Sequence, residues 1–331
     1  MVAHATSGSS VASGLRPINS MRDLIGITTL IEQAFADDMD AIGRAHMREM
    51  RWLGTFFGWL DWLSSPGQGF MPGYVWVENG QIVGNVTVRK LSTFGRGWMI
   101  GNVAVAPEWR GRGIARRMMD AALELVRHNH GEWIALQVRT DNAIARKLYQ
   151  TLGFSETGEM VTFECRALGA AQATSAQLPM GKRLRPARSD DMDQLFTLAQ
   201  SFVPESVRWA EPVYRSLFDM SFERNLADWF NGEKRVWRVI ESSDHLCGGA
   251  LLEIKRRQRS AHLNLWVVPT HTGQCEDALI DAVLAEVNHP IELVTARVPG
   301  EAIGGRVALT TRGFRQVRAL TSMKLTLNEK L

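Results

Sequence analysis

Val105-Ala106-Pro107-Glu108-Trp109-Arg110-Gly111-Arg112-Gly113-Ile114-Ala115 is the stretch on which the reading of this chain turns. An apolar run, Ile100 to Val105, leads into it. Apolar residues at Ile114, Met118, Ala122, Leu125 and Val126 follow at helical spacing. The segment therefore reads as strand, turn, helix. Such a turn aims the first backbone N–H groups of the helix at one point, where the positive end of the helix dipole also lies. A nest of this kind holds a phosphate or pyrophosphate. Gly111 and Gly113 permit positive φ and close backbone approach, while Arg110 and Arg112 add fixed positive charge. Neither common phosphate loop is present: there is no G-x-x-x-x-G-K-[ST], and no G-x-G-x-x-G with an acidic residue on a following strand.

A second stretch follows in order. Trp133 to Val138 reads as a strand, then Thr140 to Phe154 runs T-D-N-A-I-A-R-K-L-Y-Q-T-L-G-F. Thr140 or Asp141 can cap a helix that ends at Gly153, with Phe154 opening the next strand. Asn142 and Tyr149 are seven positions apart, almost two helical turns, so their side chains point the same way.

Together these motifs resemble the core of the Gcn5-related N-acetyltransferase (GNAT) superfamily. Its acyl-CoA loop follows [QR]-x-x-G-x-[GA], filled here by Arg110, Gly113 and Ala115. The resemblance implies a mixed twisted sheet flanked by helices, with acetyl-CoA lying between two splayed parallel strands, Met99 to Val105 and Trp133 to Val138. It implies that the pantetheine amides pair with backbone around Val103 and Val105. Arg110, Gly111, Arg112, Gly113, Ile114 and Ala115 would hold the pyrophosphate, and Asn142 would orient the cofactor arm. Tyr149 would protonate the departing thiolate: a tyrosine pKa of about 10 keeps that proton in place at neutral pH.

One position departs from the pattern. In the branch that acetylates ribosomal protein N-termini this strand reads L-E-V-R, and its Glu assists deprotonation. Here it reads Leu136-Gln137-Val138-Arg139, and Gln137 cannot take a proton. An alkyl amine of pKa about 10 is neutral roughly once in a thousand molecules at pH 7, against about one in ten for an α-amine near 8. A missing base is therefore tolerable for the second acceptor and costly for the first. Substitute carboxylates to consider are Asp37, Asp38, Asp40, Glu49 and Asp61, with His46 nearby. Trp52, Phe56 and Trp59 recur at helical spacing among Phe57, Trp62, Phe70 and Trp76, as a core face or as an apolar acceptor pocket.

At 331 residues the chain is long enough for two domains, and it is written twice. Leu15-Arg16-Pro17 is echoed by Leu184-Arg185-Pro186, Trp76 by Trp237, Pro107 by Pro269, and Gly153-Phe154 by Gly313-Phe314. The offsets, 169, 161, 162 and 160 residues, are nearly constant, as a duplication requires. The expected division is a disordered leader over 1–14, an intact GNAT domain over 15–166, a linker over 167–182 rich in Ala, Gln, Ser and Gly, and a degenerate copy over 183–331. Pro269 aligned on Pro107 puts Thr272, Cys275 and Asp277 where Arg110, Gly113 and Ala115 stand, with Glu276 beside them. Two carboxylates at that mouth would repel phosphate, so the second copy is expected to have lost the acyl-CoA site.

Composition sets the remaining expectations. A hydrophobic fraction of 45%, a charged fraction of 22% and a formal charge of +3 fit a soluble globular protein with no nucleic acid as partner. Lys255 to Arg259 reads as the solvated end of a hairpin. Three widely spaced cysteines, Cys165, Cys247 and Cys275, suit a reducing cytoplasm and no disulfide framework. The small polar N-terminus lacks the apolar core of a secretory signal, and no segment is long enough to span a bilayer. His128 and His130 flank Asn129 at a helix end and read as C-terminal capping, so no metal is expected. The expected partner is a small-molecule or peptide amine, handled by a monomer or a homodimer. A non-catalytic acyl-CoA sensor, a longer acyl donor and an alcohol acceptor stay open.

Overall fold

The structure is a computed structural model that describes residues 13–34, 72–91, 95–166, 178–243, 245–287 and 290–327. The carboxylates between 37 and 61, His46 and the aromatic residues from Trp52 to Phe70 lie outside the described residues. The elements follow one order twice. The first half gives β1 (Gly14–Pro17), α1 (Ser20–Ala34), β2 (Gly73–Glu78), β3 (Gln81–Lys90), β4 (Gly97–Val105), α2 (Ile114–His128), β5 (Trp133–Arg139), α3 (Ala143–Thr151) and β6 (Ser155–Arg166). The second gives β7 (Arg183–Pro186), α4 (Met192–Phe202), α5 (Phe222–Asn231), β8 (Glu233–Ser242), β9 (His245–Lys255), β10 (Ser260–Val267), α6 (Glu276–Leu284), β11 (Leu293–Pro299), α7 (Ile303–Thr311) and β12 (Arg315–Thr326).

The duplicated sequence landmarks do duplicated structural jobs. Arg16 grips Asp23 with two hydrogen bonds of 2.6 and 2.8 Å, and Arg185 grips Asp191 at 2.7 and 2.9 Å. In each case the carboxylate also accepts a backbone N–H at the start of the first helix, from Asn19 or Arg188. Gly153 and Gly313 take φ values of +92° and +80°, letting the chain reverse after α3 and α7. The N–H of Phe154 then donates to Tyr149 at 3.0 Å, and that of Phe314 to Leu309 at 3.1 Å.

Contacts divide the chain into two compact units that do not follow its linear halves. The first is Met1–Leu136 with Leu148–Ser155 and Lys324–Leu331; the second is Gln137–Lys147 with Glu156–Met323. In the first, β1 to β4 pair antiparallel in sequence order, and β5 joins β4 in parallel. Met118, Met119 and Ala122 of α2 are fully buried, and Met118 packs where Gly84 leaves room on β3. Each such apolar side chain contributes about 1.5–3 kcal/mol.

In the second unit β7, β8, β9 and β10 pair antiparallel, and β11 joins β10 in parallel. On its other side β11 pairs antiparallel with β6, from Leu293 opposite Arg166 to Pro299 opposite Met160. Val161, Phe163 and Cys165 of β6 thereby enter the core of the second repeat, against Leu252, Leu263, Leu279 and Phe314. All three cysteines are buried and unpaired. Among the described residues no helix is long and apolar enough to cross a membrane. The basic run from Lys255 forms the exposed turn between β9 and β10, as its composition predicts.

Candidate functional site

A single turn, Pro107–Trp109, joins β4 to the loop, and Gly111 and Gly113 then take φ values of +76° and +74°. Gly113 is the N-cap of α2, and its carbonyl accepts the Arg117 N–H at 3.1 Å. No side chain caps this end, so the N–H groups of the first turn carry the partial positive charge of the helix outward. Arg110, Gly111, Arg112 and Gly113 are exposed, and a Cβ placed at either glycine would meet only open space. Ile114 is buried and anchors the helix, with Ala115 half-buried behind it. Arg112 lies 4.4 Å from the centre of the Trp109 ring and donates to the Glu108 carbonyl at 3.2 Å, so its charge is held at the mouth.

Beside the loop, β4 and β5 part. Their parallel register runs from Gly97 opposite Trp133 to Met99 opposite Ala135 and ends there. The cause is visible in β4. Asn102 sits at φ +52°, and the β3–β4 register shifts at this point, which is a bulge. Asn85 Nδ2 donates to the Asn102 carbonyl at 2.9 Å, and Asn102 Nδ2 donates to the Thr87 hydroxyl at 3.2 Å, fixing the strained residue. Val103, half-buried, lies in the parted stretch, where β4 has backbone groups with no β5 partner. At the end of the strand the Val105 carbonyl accepts Arg110 Nε at 3.1 Å, which holds that guanidinium beside the loop.

Tyr149 is buried in the first unit, edge-on to Phe154 with ring centres 6.1 Å apart. Burial pushes its pKa up to about 12, so it is protonated throughout the physiological range. Asn142 belongs to the second unit by contacts. It is the cap of α3: its Oδ1 accepts the Ala145 N–H at 3.0 Å. This corrects the assignment of the cap to Thr140 or Asp141. Thr140 is engaged with Glu159 and Thr321, and Asp141 with Arg139, which leaves Asn142 as the free side chain next to the helix. At the end of α2 the capping side chain is Asn129, donating to the Leu125 carbonyl at 2.8 Å, while His130 takes positive φ. Neither flanking histidine is the cap.

The corresponding loop of the second repeat is filled from within. Gly273 keeps a φ of +77°, but Cys275, at the position of Gly113, stays at −118°. Glu276 is buried, and its carboxylate accepts the Gly273 N–H at 3.0 Å and the Cys275 N–H at 3.2 Å. Those two N–H groups are therefore already bonded within the chain. Gly304 makes room, since any Cβ there would collide with the Glu276 carboxylate. The sequence suggests repulsion at the mouth; the structure shows occupation.

One functional candidate was invisible to motif reading. In the second unit Gln137 donates through its side chain to the carboxylate of Glu211, which also pairs with Arg297. Burial pushes the Glu211 carboxyl above its ordinary value, against the opposing pull of Arg297 and Arg318. Glu211 sits 74 positions from Gln137 in a loop with no recognisable pattern.

The profile of the Acetyltransferase (GNAT) family matches residues 30–154. Among characterised relatives, N-alpha-acetyltransferase 30 of Schizosaccharomyces pombe is 31% identical over 84 residues, 24% of this chain and 55% of that protein. N-alpha-acetyltransferase RimI of Mycobacterium tuberculosis is 35% identical over 82 residues, 24% of this chain and 50% of that protein. The chain thus spans about half the length of these relatives. Two solved structures share the fold along nearly the whole chain. A GCN5-related N-acetyltransferase from Sphaerobacter thermophilus has a TM-score of 0.62 at 15% identity, covering 96% of each chain. A tandem GNAT protein from the clavulanic acid biosynthesis pathway has a TM-score of 0.55 at 15% identity, covering 97% of this chain and 100% of its own. Residues 30–154 match the GNAT acetyltransferase family, and this segment ends on Phe154 and contains the loop whose backbone donors are left open.

Proposed function

We propose that the protein transfers an acetyl group from acetyl-CoA to a primary amine, and that residues 15–166 carry the reaction while residues 183–331 are a degenerate copy. One observation carries this reading. The N-terminus of α2 is uncapped, exposed and flanked by Arg110 and Arg112, whereas the equivalent end of α6 is closed by Glu276. Of these two equivalent loops, the first leaves its N–H groups open to an anion and the second does not.

In this reading the first-turn N–H groups and Arg112 hold the pyrophosphate, and the backbone around Val103 aligns the pantetheine arm. Asn142, whose Oδ1 caps α3, offers its amide nitrogen to that arm. Binding of this kind orients the thioester for attack, which is worth more than affinity alone. The amine nitrogen attacks the acetyl carbon, the C–S bond breaks, and Tyr149 supplies the proton that turns the thiolate into a thiol. Burial, which pushes its pKa up to about 12, keeps that proton on the ring at neutral pH until the thiolate forms. The acceptor is a small molecule or a peptide α-amine, the class for which loss of a base at position 137 costs least.

Titration calorimetry with CoA tests the first half of the proposal: one molecule is expected to bind per chain. A mass-spectrometric screen of acetyl-CoA against peptides with free α-amines, polyamines and amino sugars tests the second. Tight binding with no acetylated product from any amine would overturn the catalytic reading.

A further inference from the structure

Helix α5 reads F-E-R-N-L-A-D-W-F-N from Phe222 to Asn231. At helical spacing Phe222, Leu226, Trp229 and Phe230 gather within about 100° of its circumference, a stripe of the width that ordinarily faces a core. In this helix the stripe faces out. Phe222 is 76% exposed, Trp229 70%, Phe230 65% and Leu226 42%, and Asp228 is the one buried residue of α5. The polar side is turned inward instead: Asp228 pairs with Arg235 of β8 at 2.6 Å and with Arg224 at 3.0 Å. All of these residues belong to the second unit.

This inverted helix is firmly seated. Ser221 Oγ accepts the Arg224 N–H at 3.3 Å, and Gly232 at φ +69° turns the chain straight into β8. Arg235 also donates to the Leu217 carbonyl at 3.2 Å, so the guanidinium that grips Asp228 is itself gripped. A buried carboxylate must keep its partner, which admits one rotation of α5 about its axis and presents the apolar stripe outward. The Trp229 and Phe230 rings meet edge to face with centres 5.0 Å apart, forming a ridge. Contiguous apolar surface of this kind marks a binding face.

We propose that this face joins two copies of the chain across a two-fold axis, with their α5 helices antiparallel. Area and charge both select a second copy. An aromatic side chain carries about 150–250 Å², so at these exposures the four residues present roughly 500 Å². Two such faces together bury about 1,000 Å², the size a specific interface must reach, before any charged rim is counted. The charges at the two ends of the helix are opposite. Asp219 and Glu223 are exposed at its start. Its end abuts the β9–β10 turn: the Arg256 N–H donates to the Gly232 carbonyl at 3.0 Å, and a Cβ on Gly232 would meet the Arg257 side chain at 3.5 Å. Lys255 stands opposite Glu233, and Arg259 pairs with Glu292 at 2.9 Å, so among the described residues Arg256 and Arg257 set the charge of that end. A two-fold axis through the aromatic ridge brings the acidic end of each copy to the basic end of the other, as an isologous contact requires. It also sets the helix dipoles antiparallel. An anionic membrane surface would meet the acidic end with repulsion.

Dimerisation through α5 is independent of acetyl transfer, so mass rather than activity is the readout. Sedimentation equilibrium of the full chain over a micromolar concentration series is expected to fit a monomer–dimer equilibrium. Trp229→Glu should raise the dimer dissociation constant about a hundredfold, with an unchanged far-UV circular dichroism spectrum. Glu223→Arg and Arg257→Glu should each raise it about tenfold, because the two-fold axis counts every exposed pair twice. Combining the two reverses both charges together and should recover wild-type association. A wild type that stays monomeric throughout the series overturns the proposal. So does a dimer indifferent to Trp229→Glu, whose contact must lie elsewhere. A double variant no tighter than either single one overturns the antiparallel arrangement. A monomer that floats with phosphatidylglycerol vesicles, and ceases to do so as Trp229→Glu, assigns the face to a membrane and overturns the second copy.

Discussion

The turn at 107–116 and the turn at 269–277 are the same piece of structure in two chemical states. Each follows a parallel-paired strand, begins with a proline-led single turn and opens a helix. In the first, two glycines at positive φ expose the helix end and arginines flank it. In the second, one glycine is kept, the other position is Cys275 in a right-handed conformation, and Glu276 bonds the N–H groups itself. The strands before the turns differ as well. β4 carries the Asn102 bulge, whereas the β9–β10 register runs unbroken from Ser260 to Val267. Backbone N–H groups turned to one point need an acceptor, and the second turn supplies it from its own sequence. The two copies thus share their element order and differ at the turn and in the strand before it.

Exchanges between equivalent positions sharpen this comparison. The largest effect is expected at Tyr149, whose counterpart by the shared turn geometry is Leu309, fully buried. Tyr149→Leu writes the second repeat into the first. It should lower kcat about a hundredfold while leaving the CoA dissociation constant unchanged, as steady-state kinetics and calorimetry would read. Equal losses in both quantities would mean that the ring is packing and not chemistry.

Acid should distinguish the two repeats next. His262 on β10 bonds Thr295 at 2.9 Å, and burial, with Arg297 and Lys255 nearby, holds its pKa at about 4. Its register counterpart is Met99, since Met99 lies opposite Ala135 as His262 lies opposite Thr295. The folded pKa is below the unfolded value near 6.5. Stability is therefore complete above pH 6.5 and is lost as pH falls toward 4, by about 3 kcal/mol at most for a shift of this size. Urea unfolding at pH 7 and 4.5 should show the loss in the wild type and a much smaller one in His262→Met. Parallel losses in both proteins would clear this histidine.

Arg112→Glu places a carboxylate at the first mouth and should weaken CoA binding at least tenfold, about 1.4 kcal/mol; unchanged affinity would remove the phosphate assignment. The smallest effect belongs to Glu276→Gln. A neutral acceptor keeps the two backbone hydrogen bonds but loses their charge assistance, so stability should fall by about 1 kcal/mol with one CoA still bound per chain. A second bound CoA would show that charge alone, and not occupied space, closes the second nest.

Much of this was legible from residues whose roles are local. Pro107, Gly113, Gly153 and their repeats mark turns that only certain residues make, so the duplication and the element order could be read directly. The capping of α3 was misassigned because Thr140, Asp141 and Asn142 are all competent caps, and only tertiary partners for the first two decide among them. The Asn102 bulge left no trace because an asparagine at positive φ in a strand follows no spacing rule. Glu211 could not be found because nothing in a sequence announces that a loop 74 residues away will return to Gln137. Strand β6 was assigned to the first domain by continuity, and no local pattern states that its neighbours would be β11 and β12.

That placement of β6 has a practical corollary for anyone wishing to cut the molecule. Severing the polypeptide at residues 167–182 would take from the downstream fragment three side chains of its own interior, Val161, Phe163 and Cys165. It would also leave the upstream fragment with a row of main-chain amides whose mates had departed. Either cut end would therefore lose pairing or packing that β6 supplies.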